Sequence, residues 1–167
     1  MIISDSTPLI HLARIGRLDL LSRLFKKVII PESVFNEIVI KGEEQGYLDA
    51  KLIRKATEEW IEIKELNKEE LTELDEILKI GPIGIAEGEA ITLANNMRLP
   101  LLIDDSIGQK IARTLNIETY WTTSVVLKGV SVKIITRPEA KKLVEDLING
   151  GLRVKPEVVI ELMKILS

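Results

Sequence analysis

Six carboxylates in this sequence stand where a chain alternating strands with helices would gather them. Asp5 follows the apolar run Ile2-Ile3, and Asp104 and Asp105 follow Leu101-Leu102-Ile103. In an open parallel sheet, ligands bind outside the carboxyl ends of the strands, so these three acids are expected at one crevice. Glu87 and Glu89 open the helical pattern that leads down to the Leu101 run, which puts that first turn at the same edge. Glu37 falls on the second turn after Val28-Ile29-Ile30, deeper but within reach. Carboxylates brought within a few ångströms repel and raise one another's pKa unless a divalent cation compensates. An oxygen-only donor set suits Mg²⁺ or Mn²⁺. Each acid taken singly also has an ordinary reading. Asp5, and Asp104 or Asp105 with Ser106, could cap helices, worth about 1 kcal/mol each. Glu87 and Glu89 could be first-turn acids favoured by the helix dipole by about 0.3–1 kcal/mol, and Glu37 could be a solvated helix-face residue. Capping does not explain why all of them should face one crevice with no cation between them.

The elements that would hold these acids can be read from periodicity and breakers. Ile2-Ile3 reads as a strand and Pro8 as the opening of a helix that Gly16 ends, followed by a short helix from Leu18 to Phe25. Val28 to Ile30 reads as a buried strand, and Pro31 as the opening of a helix to Gly42. Tyr47 to Trp60 has helical spacing in Leu48, Leu52, Ile53 and Ala56, and Ile61-Glu62-Ile63 alternates like a short strand. Asn67 with Glu70 resembles a capping box before a helix through Leu71, Leu74 and Leu78. Helices are expected from Ala86 to Met97 and from Ser106 to Leu115, with strands at Leu101–Ile103 and Ile117–Tyr120. Beyond Thr123 the pattern is helical, with Pro138 and Pro156 as openers. Short β-branched runs alternating with amphipathic helices imply an α/β fold: three layers, a largely parallel twisted sheet flanked by helices.

Composition narrows the chemistry further. The 167 residues fit one domain, with an acidic helical insert at about 43–78 and a helical C-terminal extension at about 130–167. No cysteine is present and His11 is the one histidine, which excludes disulfides, thiol nucleophiles, Cys-ligated clusters and two-His metal sites. On the apolar stripe of its helix, His11 reads as a core or boundary residue. The net charge of −3 excludes a generally basic coat. Residues 1–31 nevertheless carry five basic and two acidic side chains, whereas residues 32–99 carry eight basic and sixteen acidic. Gly81-Pro82-Ile83-Gly84 lacks the lysine of a phosphate-binding loop, and Thr7 stands where an aspartyl-phosphate phosphatase needs its second Asp. With no signal-like N-terminus and no long apolar run, a cytoplasmic protein without membrane contact is expected.

Four segments in order, Asp5-Ser6-Thr7-Pro8-Leu9-Ile10, Ile30-Pro31-Glu32-Ser33-Val34-Phe35-Asn36-Glu37-Ile38, Glu87-Gly88-Glu89-Ala90-Ile91 and Leu102-Ile103-Asp104-Asp105, resemble a PIN-domain protein. The nearest branch is the prokaryotic PIN-like group of predicted nucleic-acid-binding proteins, related to VapC-type toxin ribonucleases. The resemblance implies a metal-dependent endoribonuclease that hydrolyses phosphodiesters of single-stranded RNA, often as the toxin opposite a small antitoxin protein. By motif, Asp5, Glu37, Glu89 and Asp105 match the catalytic acids, with Asp5, Glu89 and Asp105 holding Mg²⁺ or Mn²⁺. Thr7, Glu87 and Asp104 match supporting positions. Arg14, Arg17, Lys110 and Arg113 are the expected nucleic-acid contacts, helped by Arg23, Lys26 and Lys27.

The sequence departs from that pattern in places. Gly88 stands where Ala is favoured, a change expected to loosen the helix start by about 1 kcal/mol. Ser106, Gly108 and Gln109 replace an Arg-rich stretch, and Thr122 and Val125 replace glycines. The rival reading is therefore a catalytically weak or inactive nucleic-acid- or protein-binding module. The apolar residues between Pro156 and Leu166 exceed one helical face, from which a homodimer is expected.

Overall fold

Apolar β-branched runs that bury both faces settle as interior parallel strands. In the computed structural model, which describes residues 1–167, β1 (Ile2–Ser4), β2 (Val28–Pro31), β3 (Ile61–Lys64), β4 (Leu101–Leu102) and β5 (Thr119–Tyr120) form a single sheet. Its order is β3-β2-β1-β4-β5 and every pair is parallel. Ile3 lies opposite Ile29 on one side and Leu101 on the other. The chain lays down β1, β2 and β3 in one direction, then returns past β1 to add β4 and β5. The winding therefore reverses between β1 and β4, where such sheets open a crevice at the carboxyl edge.

Helices cover both faces. They are α1 (Ser6–Arg14), α2 (Asp19–Phe25), α3 (Glu32–Phe35), a π-helical turn (Asn36–Ile40), α4 (Lys41–Glu44), α5 (Leu48–Thr57), α6 (Lys68–Leu78), α7 (Ile85–Met97), α8 (Ser106–Thr114), α9 (Thr122–Ser131), α10 (Arg137–Asn149) and α11 (Pro156–Ile165). Because side chains alternate along a strand, Ile2, Val28, Ile30 and Leu102 join one core with residues of α1, α2, α5, α9, α10 and α11. Ile3, Ile29, Leu101 and Ile103 join the other, against α6, α7 and α8. The fold is α/β in three layers, as the sequence implies. No helix is long and apolar enough to cross a membrane.

Local signals act as their chemistry dictates. Asn67 and Glu70 close a reciprocal capping box, each backbone N–H donating to the other side chain at 2.9 Å. Gly88 lets α6 and α7 approach closely. A Cβ there would sit 2.8 Å from side-chain carbons of Leu74 and Leu78.

Two expectations shift. The helix after β2 is continuous to Glu44 but contains the π turn, which no sequence period signals. On α5 the buried stripe is Ala50, Ile53 and Ala56, while Leu48 and Leu52 are exposed. Within the stretch 43–78, β3 forms where Ile61-Glu62-Ile63 is expected as a short strand, and pairs with β2 through four residues. At the C-terminus, α11 divides its apolar surface: Leu162 and Leu166 enter the core, and Val158, Ile160 and Ile165 stay exposed.

Candidate functional site

Asp5 ends β1 and occupies the position before α1, yet its side chain makes no capping hydrogen bond to that helix. Only 3% of its surface is exposed. Burial is the main cause that pushes its pKa up from 3.8 to about 7, and the charges of Glu87, Glu37 and Asp104 push the same way against a backbone hydrogen bond at Ser6. Its carbonyl accepts from Ser4 Oγ at 2.9 Å, which ties the strand end down. The cap explanation therefore fails at Asp5. It holds at Asp105, which is the N-cap of α8 and accepts from the Gly108 N–H at 2.6 Å.

Two acids reach Asp5 that were expected only as supporting residues. Asp104 follows β4 across the switch point, and both its oxygens are held by one residue. The Thr122 N–H donates to Oδ1 at 2.8 Å and Thr122 Oγ1 to Oδ2 at 2.6 Å. Burial raises the Asp104 pKa, opposed by these two bonds and by the His11 charge. Glu87 stands in the first turn of α7, where its carboxylate accepts from the Gly84 N–H at 3.1 Å. Its pKa is raised by burial first, and by the charges of Asp105 and Glu37.

Glu89 and Asp105 were expected as metal ligands, but neither is among the charges that act on Asp5. Glu89 accepts a hydrogen bond from Ser33 Oγ instead. Residues two apart on an α-helix point about 200° apart, so Glu87 and Glu89 leave α7 in different directions and meet different partners, Gly84 and Ser33. Asp104 and Asp105 bond to different partners, Thr122 and Gly108, and the charge of Asp105 acts on Glu87. Glu37 lies in the π turn, exposed, with its charge directed at both Asp5 and Glu87. π turns are frequent at functional sites because the extra residue re-aims the side chains around it.

The remaining expected residues are dispersed. Thr7 is half-buried in the first turn of α1. Arg14 ends α1, about 12 Å of rise from its start beside Asp5, and Arg17 pairs with Asp19 at 3.1 Å. Lys110 and Arg113 are exposed on α8, descending from the Asp105 cap. His11 is half-buried with no partner for Nδ1, and burial lowers its pKa against the charge of Asp104. Thr122 and Ser33 are the residues that sequence reasoning missed. Each is one hydroxyl among several, and nothing in a linear pattern says which carboxylate it will meet.

No three His, Asp or Glu side chains stand close enough to enclose an ion by themselves. Mg²⁺ characteristically needs only one or two carboxylates, with waters and substrate phosphate completing its shell. A buried Asp5 facing three like charges is a hard-oxygen donor set of that kind, so the residues fit a divalent cation. A family model described as a PIN domain matches residues 1–167. A search among curated proteins finds no match. PIN domains are typically nucleases and generally use divalent metals. A match from end to end, on a parallel sheet whose switch point carries a cluster of acids, settles the family: the chain belongs to the PIN domains.

Proposed function

We infer that this protein is a metal-dependent endoribonuclease acting on single-stranded RNA. The observation that carries the reading is Asp5, buried at the switch point and opposed by Glu87, Glu37 and Asp104, with no positive side chain among the charges that act on Asp5 itself. Asp5 and Asp104 would hold Mg²⁺ or Mn²⁺, with Glu87 and Glu37 completing the acidic rim. The ion supplies a lowered pKa for water and neutralises charge at the scissile phosphate. Thr122 fixes both oxygens of Asp104, so that carboxylate is oriented before any ligand arrives. Glu37, exposed at the rim, is placed to accept the proton of the attacking water at its carboxylate. Glu89 and Asp105, committed to Ser33 and Gly108, act as supports. Lys110 and Arg113 on α8, which starts at this edge, would contact phosphates, with Arg14 at the far end of α1 and Arg17 just beyond it.

The test is incubation of the purified protein with mixed single-stranded RNA in Mn²⁺, in Mg²⁺ or in chelator. Cleavage in metal that disappears in chelator and in Asp5→Asn supports the reading. Full-length RNA in every arm leaves the binding-module alternative. A toxin role opposite a small antitoxin, and a homodimer through the exposed face of α11, belong to the same proposal. Sizing with light scattering, comparing wild type with Ile160→Asp, checks the second of these.

A further inference from the structure

Next to the Asp5 cluster lies a cavity of about 260 Å³ between the ends of β2 and β3, bounded by Glu32, Ser33, Asn36, Glu65, Leu66, Leu71 and Glu89. It shares its supports with the cluster. Asn36 precedes Glu37 in the π turn, Glu89 lies two residues beyond Glu87 on α7, and the Ser33–Glu89 hydrogen bond joins the two walls. Drug-sized ligands occupy about 300–1,000 Å³, so this volume suits one flat ring system rather than a nucleotide with its phosphates. The lining is mixed. Leu66 and Leu71 provide an apolar wall, and Leu71 is 46% exposed, a large apolar side chain the core does not use. Asn36 can donate or accept, whereas a carboxylate such as that of Glu65 or Glu89 accepts. Carboxylates repel a phosphate, so the occupant is not the nucleic-acid backbone.

We propose that this cavity receives the base of a nucleotide flanking the scissile phosphate, and that it favours bases with an exocyclic amino group over uracil. The proposal rests on the ribonuclease reading for its substrate class. Single-stranded RNA is recognised through splayed bases whose edges are hydrogen-bonded and whose faces pack on side chains. Cytosine and adenine each present an amino donor to a carboxylate, as Glu65 requires. Uracil presents two carbonyl acceptors beside one N–H, so its oxygens would meet the lone pairs of Glu65 and Glu89.

The experiment measures binding of fluorescently labelled oligoadenylate, oligocytidylate and oligouridylate to the Asp5→Asn protein in Mg²⁺, where cleavage does not interfere. Adenylate and cytidylate should bind about tenfold more tightly than uridylate, the discrimination typical of one good base contact. Glu65→Gln, at an exposed position that does not threaten folding, should erase most of that difference, and Leu71→Ala should weaken all three. Equal binding of the three oligomers overturns the proposal, as does a preference unchanged by both Glu65→Gln and Asn36→Ala, or no binding of any oligomer. A parallel incubation of wild type with the same oligomers in Mn²⁺ separates the two readings. An intact binding preference without cleavage removes the nuclease and leaves the base site, and cleavage without preference does the reverse.

Discussion

At the amino edge of the sheet, where α7 and α8 run out before β4 and β5, a cavity of about 420 Å³ is lined by Asn95, Arg98, Asn116 and Glu118 among others. At the carboxyl edge the neighbouring cavity is smaller, about 260 Å³, but Asp5 is buried there beside three like charges. The larger space follows from how the two helices stop. Arg98 and Asn116 take left-handed conformations with φ of 53° and 59°, and the chain turns sharply back into its strands. Both side chains are exposed, and no buried charge is left opposed there. Volume alone thus marks a junction, whereas uncompensated burial of charge marks a place kept for a ligand, because it costs stability that packing alone does not return.

The contrast is broken or sharpened most strongly at Asp5 itself. Asp5→Asn should lower RNA cleavage by about 10³-fold or more, the scale seen when one member of a catalytic unit is removed. Arg98→Ala, at the larger cavity, should leave the rate unchanged. A rate that falls with Arg98→Ala and survives Asp5→Asn would reverse the assignment of the two edges.

Stability against pH gives the next largest effect. Below about pH 4 Asp5 is protonated in both folded and unfolded chains. Between about 4 and 7 the unfolded chain gives up this proton while the folded one keeps it, so stability falls as pH rises through that window and then levels off. The effect should reach up to about 4 kcal/mol for the metal-free protein, and the raised pKa values of Glu87 and Asp104 act with the same sign. Denaturant melts at pH 5 and pH 8 with chelator should show the loss, Asp5→Asn should flatten it, and Mg²⁺ should offset it at pH 8. Equal stability at both pH values would mean that the carboxyl edge carries no charge conflict.

Thr122→Val comes third. It keeps the backbone donor to Asp104 but removes the Oγ1 donor, leaving an under-satisfied buried carboxylate at a cost of about 1–3 kcal/mol. Cleavage should fall about tenfold, a rotation of one ligand being worth that much, and Thr122→Ser should recover both quantities. The smallest effect belongs to the amino edge. Arg98→Gly should relieve the left-handed backbone for a net gain of about 0.5 kcal/mol after the entropy of glycine is counted. Thermal melts would register it, with cleavage unaltered.

How far the site could be read from sequence follows the same division between local and long-range causes. Asp5 and Asp104 could be placed at one edge because strand ends follow from Ile2-Ile3 and Leu101-Leu102-Ile103. The Asn67–Glu70 box formed because both halves of its signal lie within one turn. The partners of Glu87 and Glu89 were not legible, since they depend on how α7 packs, with Gly88 close to Leu74 and Leu78. The Asp105–Gly108 bond is the cap that the sequence already allows, whereas Thr122, the partner of Asp104, stands 18 residues away and no spacing rule identifies it. On α5, Leu48 and Leu52 fit a helical period yet ended outside, because Ala50, Ile53 and Ala56 supply the narrower face that the core accepts.

The strand order carries one more consequence, in time rather than in space. β1 is made first and lies at the centre of the sheet, but its second neighbour, β4, is synthesised only after the intervening helices and strands. Contacts so distant along the chain are late and slow to form. A ribosome-bound chain that has emerged only through β3 carries Asp5 without Asp104 or Thr122, so its acidic centre is incomplete. The carboxylate cluster closes only when β4 has inserted beside β1 and α9 has capped Asp104. The connectivity thus acts as a delay on whatever chemistry the finished protein performs, holding it back until β4 and the start of α9 have been made as well as β1.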